Sequence, residues 1–247
     1  MVQALRSFLF SVWMYAWGII LGLLFLPSIL FGQKAVNFAI RQWANMVRWG
    51  IRWIGGAKIE VRGREHIPNG AMICAGKHQS TMDVVVSYIL APAPASIMKR
   101  ELLGYPIFGW YALFGKNIPI DRGGLASTVR KMQAIAKRRV EEGRQIMIFP
   151  EGTRRAPGAE PRYKPGVFGL YKKLGVPLVP VATNSGLCWH RGFKVRPGLI
   201  IYEALPAIEP GLDRKTLMMR LEETTETACE RLLDEGLAAQ GRTRADL

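Results

Sequence analysis

From Ser7 to Gln33 the chain carries no charged residue, and no other feature constrains its fold as strongly. These 27 residues would make a helix of roughly 40 Å at about 1.5 Å per residue. A hydrocarbon core of about 30 Å asks for ~20 apolar residues, and FLFSVWMYAWGIILGLLFLPSILF supplies them. A cleaved leader fits less well, because the run is too long for its apolar region and no A-x-A-like site follows. A core helix of a water-soluble domain is the plain alternative; the length and the Trp and Tyr content weigh against it. Pro27-Ser28 could break the segment and start a helical hairpin. Spanning and hairpin insertion both fit.

The next stretch, KAVNFAIRQWANMVRWGIRWIGG, mixes apolar and basic residues. Arg41, Arg48 and Arg52 are seven and four apart, which places them on one helical face. Trp43, Trp49 and Trp53 suit the headgroup level of a bilayer. This reads as a basic amphipathic helix lying on a membrane. The basic flank follows the apolar run, so the positive-inside rule places the rest of the chain on the cytoplasmic side of an inner membrane. Gly55-Gly56 closes the segment. The expected organisation is a membrane-anchoring helical segment over 1–55 and a single folded domain over 56–247.

The chain of 247 residues has a net charge of +15, which suits a polyanionic partner: nucleic acid, an anionic membrane or a phosphorylated substrate. Hydrophobic residues make up 49% and charged residues 21%, so disorder is excluded. The three cysteines, Cys74, Cys188 and Cys229, are widely spaced and lack a C-x-x-C pair. That speaks against a disulfide framework and a structural zinc site, and for a reducing compartment. Beyond Gly56, short apolar runs at 58–62, 71–75, 96–98, 117–120, 145–149, 178–183 and 199–203 read as strands. They alternate with helical patterns. Leu125, Val129, Met132, Ala136 and Val140 form one apolar stripe, and Leu217, Leu221, Ala228 and Leu232 suggest another. The predicted fold class is α/β: a mostly parallel central sheet flanked by helices, behind an N-terminal membrane-inserted helical segment.

Of the three histidines, His66, His78 and His190, only His78 follows an apolar run, AMICAG. Asp83 lies five residues on. In one continuous helix the two would differ by about 140° and miss each other. They can meet if His78 stays in the loop and the helix starts near Ser80, although Asp83 there would equally serve as a helix cap. Two further stretches, Ile118-Pro119-Ile120-Asp121-Arg122 and Phe149-Pro150-Glu151-Gly152-Thr153-Arg154, join a strand end to a glycine or a guanidinium. Each is a weak anion-site signal, and ordinary turn chemistry as well.

In order, HQSTMD, IPIDR, FPEGTR and VPLVPVA resemble the four blocks of the 1-acylglycerol-3-phosphate acyltransferases and their glycerolipid acyltransferase relatives. The resemblance covers about residues 55–205. One departure is Lys77, where that family often has Asn before the histidine. The resemblance implies transfer of a fatty acyl group from a thioester, carried by acyl carrier protein or coenzyme A, to the sn-2 hydroxyl of 1-acylglycerol 3-phosphate. No bound cofactor or metal is implied. His78 would be the general base and Asp83 its orienting carboxylate. Arg122, Glu151, Gly152, Thr153 and Arg154 would hold the glycerol phosphate, with Lys99 as a further phosphate contact. Ser80 and Thr81 read as helix-start residues, and His66 and His190 as structural or surface residues. Alternatives are acylation of another lysolipid, such as lyso-ornithine lipid, or of glycerol 3-phosphate. A basic membrane- or nucleic-acid-binding protein without activity is the non-enzyme alternative, but no nucleic-acid-binding pattern is present.

Overall fold

The computed structural model of the protein describes residues 1–121 and 126–246. Its centre is a seven-stranded sheet of β1 (Ala57–Arg62), β2 (Met72–Gly76), β3 (Pro94–Lys99), β4 (Ile118–Ile120), β5 (Gln145–Ile148), β6 (Leu178–Thr183) and β7 (Gly198–Ala204). The order is β1-β7-β6-β2-β5-β3-β4. The pairings β1–β7, β2–β5, β2–β6, β3–β4 and β3–β5 are parallel, while β6–β7 is antiparallel. Strands β6, β2, β5, β3 and β4 therefore share one direction, and their C-terminal ends form one edge of the sheet. In open α/β sheets that edge is where ligands bind.

The central strand shows why the sheet needs cover on both sides. Met72 and Cys74 face one apolar cluster, and Ile73 and Ala75 face the other. A strand buried on both faces reads as a continuous apolar run, as MICAG does. The first face is covered by α1 (Val2–Leu24), α2 (Gln33–Gly50) and α3 (Met82–Leu90). The second is covered by α5 (Ala126–Glu141), α6 (Gly166–Leu174) and the start of α7 (Arg214–Ala238). The apolar stripe expected over 125–140 is thus α5, apart from Leu125, which lies outside the described residues. A short helix, α4 (Phe108–Phe114), connects β3 to β4.

The N-terminal helices do not stand apart from the catalytic part. Phe10, Met14, Ala44, Val47 and Ile51 belong to the same buried cluster as Met72, Cys74 and Val179 of the sheet. Arg6 Nε donates to Ile54 O at 2.7 Å, and Ser7 Oγ donates to Val195 O at 3.1 Å. Arg41, expected to face lipid, instead donates to the carbonyls of Ala91 (3.3 Å) and Pro92 (2.7 Å). Two backbone carbonyls at the end of α3 can hold its guanidinium without a counter-ion. Arg48, Trp49, Arg52 and Trp53 remain exposed.

Candidate active site

The segment after β2 leaves the sheet edge as Lys77-His78-Gln79-Ser80-Thr81, and α3 starts at Met82. His78 is therefore in the loop and Asp83 in the first helical turn, as the spacing requires. His78 Nδ1 lies 2.9 Å from Asp83 Oδ2. The same oxygen accepts from Gln79 N and Ser80 N, both at 2.7 Å. The other oxygen, Oδ1, accepts from Ser185 Oγ at 2.6 Å and Tyr202 OH at 2.8 Å. Asp83 thus caps the turn and holds the imidazole at once; the two readings of the sequence describe one geometry. Its side chain is only 2% exposed, against 16% for His78. A carboxylate can only accept here, so Nδ1 carries the proton and Nε2 is left with its lone pair. Burial and the Asp83 charge raise the Tyr202 hydroxyl well above its ordinary range, so it stays a donor.

The imidazole stacks on Phe149, ring centres 4.2 Å apart and planes 20° apart. Gly76 makes room for that ring: a Cβ there would come within 3.3 Å of Phe149. After Phe149 the chain turns back, Gly152 N donating to Phe149 O at 2.9 Å. Gly152 has φ +66°, a left-handed conformation that glycine adopts without a steric cost. Arg155 N then donates to His78 O at 2.8 Å. The turn after β5 is thereby tied to the histidine loop.

The resemblance implied six substrate-holding residues, and the structure places them differently from one another. Arg154 Nη1 donates to Thr81 Oγ1 at 3.0 Å, which sets the guanidinium at the start of α3. Thr153 is exposed beside it. Lys99 is exposed at the C-terminal end of β3, on the same sheet edge. Arg122 lies outside the described residues. Glu151 differs: its side chain is 1% exposed and pairs with Lys77 at 3.2 Å, so it is turned into the protein rather than offered to a ligand. A buried carboxylate is also a poor neighbour for phosphate. Lys77 is itself 2% exposed and donates to both oxygens of Glu226 on α7, each at 2.9 Å. Tyr163 OH donates to Glu226 Oε1 at 2.7 Å. Burial pulls the Lys77 ammonium down, but the bonds to Glu226 and the charges of Glu226 and Glu151 outweigh it and the net shift is upward. Burial pushes the Glu151 carboxyl up against the pull of Lys77.

A family model described as acyltransferase matches residues 58–184. A 1-acyl-sn-glycerol-3-phosphate acyltransferase of Pseudomonas aeruginosa is 32% identical over 210 residues, covering 84% of this chain and 82% of that protein. The chain belongs to the acyltransferase family. An enzyme of the same name from Limnanthes alba is 31% identical over 196 residues, covering 78% of this chain and 68% of that protein. The crystal structure of the 1-acyl-sn-glycerophosphate (LPA) acyltransferase, PlsC, from Thermotoga maritima superimposes with a TM-score of 0.79 at 22% identity, over 93% of this chain and 97% of that one. The fold predicted from the sequence is thus the acyltransferase fold.

Several residues of this acyltransferase site escaped the sequence reading. Ser185, just after β6, and Tyr202, within β7, reach Asp83 from 102 and 119 residues away. His190, read as structural or surface, has Nδ1 2.8 Å from Gln79 O and so supports the histidine loop. Lys77 was visible only as a departure from the family pattern, yet a lysine directly after the buried run MICAG needs a counter-charge, a signal that says a partner exists without naming Glu151 or Glu226.

Proposed function

We propose that this acyltransferase moves a fatty acyl group from an acyl thioester to the sn-2 hydroxyl of 1-acylglycerol 3-phosphate, giving phosphatidic acid. The observation that carries the reading is the His78–Asp83 pair, with the imidazole Nε2 uncommitted at the ligand-binding edge of the sheet. The names of the similar enzymes supply the acceptor.

An alcohol attacks a thioester poorly until its proton is removed in the transition state. His78 Nε2 takes that proton as the oxygen bonds to the thioester carbonyl carbon. The tetrahedral intermediate then expels the thiolate, which recovers the proton from the imidazolium. Asp83 fixes the tautomer and stabilises the imidazolium charge, and the acceptor hydroxyl is the nucleophile, so no enzyme serine is consumed. Arg154, with Gly152, Thr153 and Lys99, holds the phosphate of the acceptor through its planar fork. Arg122 belongs to the same group of cations on its sequence block. Glu151 serves this site from behind, anchoring the turn through Lys77.

Both substrates carry acyl chains, so the enzyme works at a lipid surface. In α1, Leu5, Phe8, Leu9, Val12, Tyr15, Ile19 and Ile20 are exposed, while Phe10 and Met14 are in the core. The helix touches the domain at both ends: Ser7 bonds to Val195, and the carbonyl of Gly22 accepts from Tyr111 OH at 2.9 Å. A helix docked along its length meets a bilayer side-on, as an interfacial element, and does not cross it. The exposed Arg48 and Arg52 suit the anionic cytoplasmic leaflet, and on this reading the domain sits on the cytoplasmic side of the inner membrane.

The test is turnover of the full chain in mixed micelles. Acyl carrier protein and coenzyme A thioesters serve as donors, and 1-acylglycerol 3-phosphate, glycerol 3-phosphate and lyso-ornithine lipid as acceptors. His78→Ala lowers turnover by ~10²–10⁴-fold. Near-normal turnover of that variant, or preference for another acceptor, overturns the mechanism or the substrate respectively.

A further inference from the structure

Five large side chains between residues 105 and 114 are exposed: Tyr105, Phe108, Trp110, Leu113 and Phe114, each between 43% and 60%. Scattered exposed apolar residues need no explanation, but a cluster within ten residues does. The opposite side of the same segment is packed. Tyr111 lies in a buried cluster with Val36 and Ala39 of α2, joined by Phe25, Ile29, Ile40 and Ile107. A Cβ added at Gly22 of α1 would clash with Ile107, so the two elements are in close contact. Ile107 itself has φ +63°, and Phe108 N donates to Pro106 O at 2.6 Å. A β-branched residue at positive φ is costly, and such conformations persist where the surroundings dictate them. The turn directs Ile107 inward against α1 and leaves Phe108 and its neighbours outward.

We propose that α4 and the turn before it are a second bilayer contact, inside the catalytic domain and continuous with the apolar surface of the N-terminal helices. It rests on the membrane-bound reading above. The N-terminal elements that pack around Tyr111 and Ile107 expose apolar residues of their own: Leu23, Leu24, Leu30, Phe31 and Phe38. Aromatic rings are the residues that settle at the headgroup boundary. Lys99 and Arg100 precede the segment and Lys116 follows it; Arg100 pairs with Asp121 at 3.1 Å and Lys116 with Glu142 at 3.6 Å, while Lys99 is exposed at the end of β3. The exposed Lys99 ammonium attracts an anionic phospholipid surface. A second copy is disfavoured, because two chains of net charge +15 repel each other. Because Lys99 ends β3 at the ligand-binding edge, this contact sets the tilt of the molecule so that the edge bearing His78 meets the lipid surface. One helix alone leaves the domain free to roll about its axis; α4 removes that freedom.

The three cysteines are buried, so a single exposed cysteine can be labelled in the full chain. Leu113→Cys and, as a control on the outer face of α5, Ala134→Cys carry an environment-sensitive fluorophore. Both are mixed with vesicles of phosphatidylglycerol and phosphatidylcholine containing a lipid-borne quencher. The label at position 113 is quenched and blue-shifted on the vesicles, and the label at 134 is not. The double variant Trp110→Gln/Leu113→Gln partitions onto the vesicles roughly tenfold more weakly, with turnover on micellar substrate unchanged. A label at 113 that stays in water on vesicle-bound protein overturns the proposal while leaving membrane binding intact. Failure of both labelled proteins to bind vesicles overturns the membrane-bound reading together with it. Shielding at 113 that depends on protein concentration without lipid assigns the patch to a second copy instead.

Discussion

Replacing Lys77 by Met removes the cation from a buried network and leaves two carboxylates behind. Of these, Glu151 is 1% exposed and Glu226 is 22% exposed. Glu226 can turn toward water and keeps the Tyr163 hydroxyl as a donor. Glu151 cannot turn to water: burial already pushes its carboxyl up, only the backbone N–H of Arg162 eases it, and Arg155 Nε is 3.9 Å away. Breaking a buried pair by removing one partner costs about 3–5 kcal/mol. For a chain of this size each kcal/mol moves the midpoint by about 2–4 °C, so Lys77→Met lowers Tm by roughly 10 °C. Adding Glu151→Gln removes the stranded charge and returns most of the loss; adding Glu226→Gln returns little. Thermal unfolding of the singles and both doubles in the same detergent measures this. The pH dependence supplies a second check. A carboxyl whose folded pKa lies above its unfolded one loses stability as pH rises through that window. Without Lys77 the Glu151 carboxyl is raised further, so the variant's deficit against the wild type shrinks toward pH 5 and widens toward pH 8. Equal recovery by the two doubles, or a deficit that does not vary with pH, would refute the assignment of the strain to Glu151.

Three further outcomes follow from the same geometry. Asp83→Asn keeps one oxygen for Gln79 N and Ser80 N while the Ser185 and Tyr202 hydroxyls rotate to accept from its amide, so its melting curve shifts by only a few degrees while turnover drops by ~10²–10⁴-fold. Arg154→Ala raises KM for the phosphorylated acceptor more than for the donor, and Arg154→Lys recovers part of it, because lysine supplies the charge without the fork; initial-rate kinetics with each substrate varied in turn separate the two. A chain cut after Gly55 loses Phe10, Met14, Ala44, Val47 and Ile51 from the shared core, so calorimetry shows no cooperative transition even in detergent.

The strands were legible because a sheet covered on both faces leaves uninterrupted apolar runs, and all seven segments expected from the sequence are strands of this sheet. The His78–Asp83 contact was legible because it needs only a loop followed by a helix start within five residues. What closes around Asp83 was not. Tyr202 sits in LIIYEA as an ordinary strand residue, and nothing local says that its hydroxyl turns toward a carboxylate 119 residues earlier. The Lys77–Glu226 pair spans 149 residues, and pairing at such distances is fixed by where α7 packs, which periodicity does not report. The helix FGWYALF is too short to show a period, so α4 went unread. Arg41 misled for the opposite reason: its spacing matched a lipid-facing stripe, while the carbonyls that hold it belong to the end of another helix.

The loop between Ser185 and Val195 shows why anchor and chemistry are one piece of this acyltransferase. Ser185 holds Asp83 Oδ1 at its start. Trp189 then packs edge-on against Phe10 of α1, ring centres 5.4 Å apart. His190 supports Gln79 O beside the catalytic histidine, and Arg191 Nη2 donates to Arg154 O at 2.7 Å. Val195 closes the loop on Ser7 of α1, its N–H donating to Ser7 Oγ at 3.1 Å. Within eleven residues the chain thus touches the base's carboxylate, the base's loop, the phosphate-holding arginine and, twice, the interfacial helix. A displacement of α1 is passed to both the His78–Asp83 pair and the turn bearing Arg154 through packed and hydrogen-bonded contacts. The N-terminal helix is accordingly coupled through this one loop to the turn bearing His78 and to Arg154.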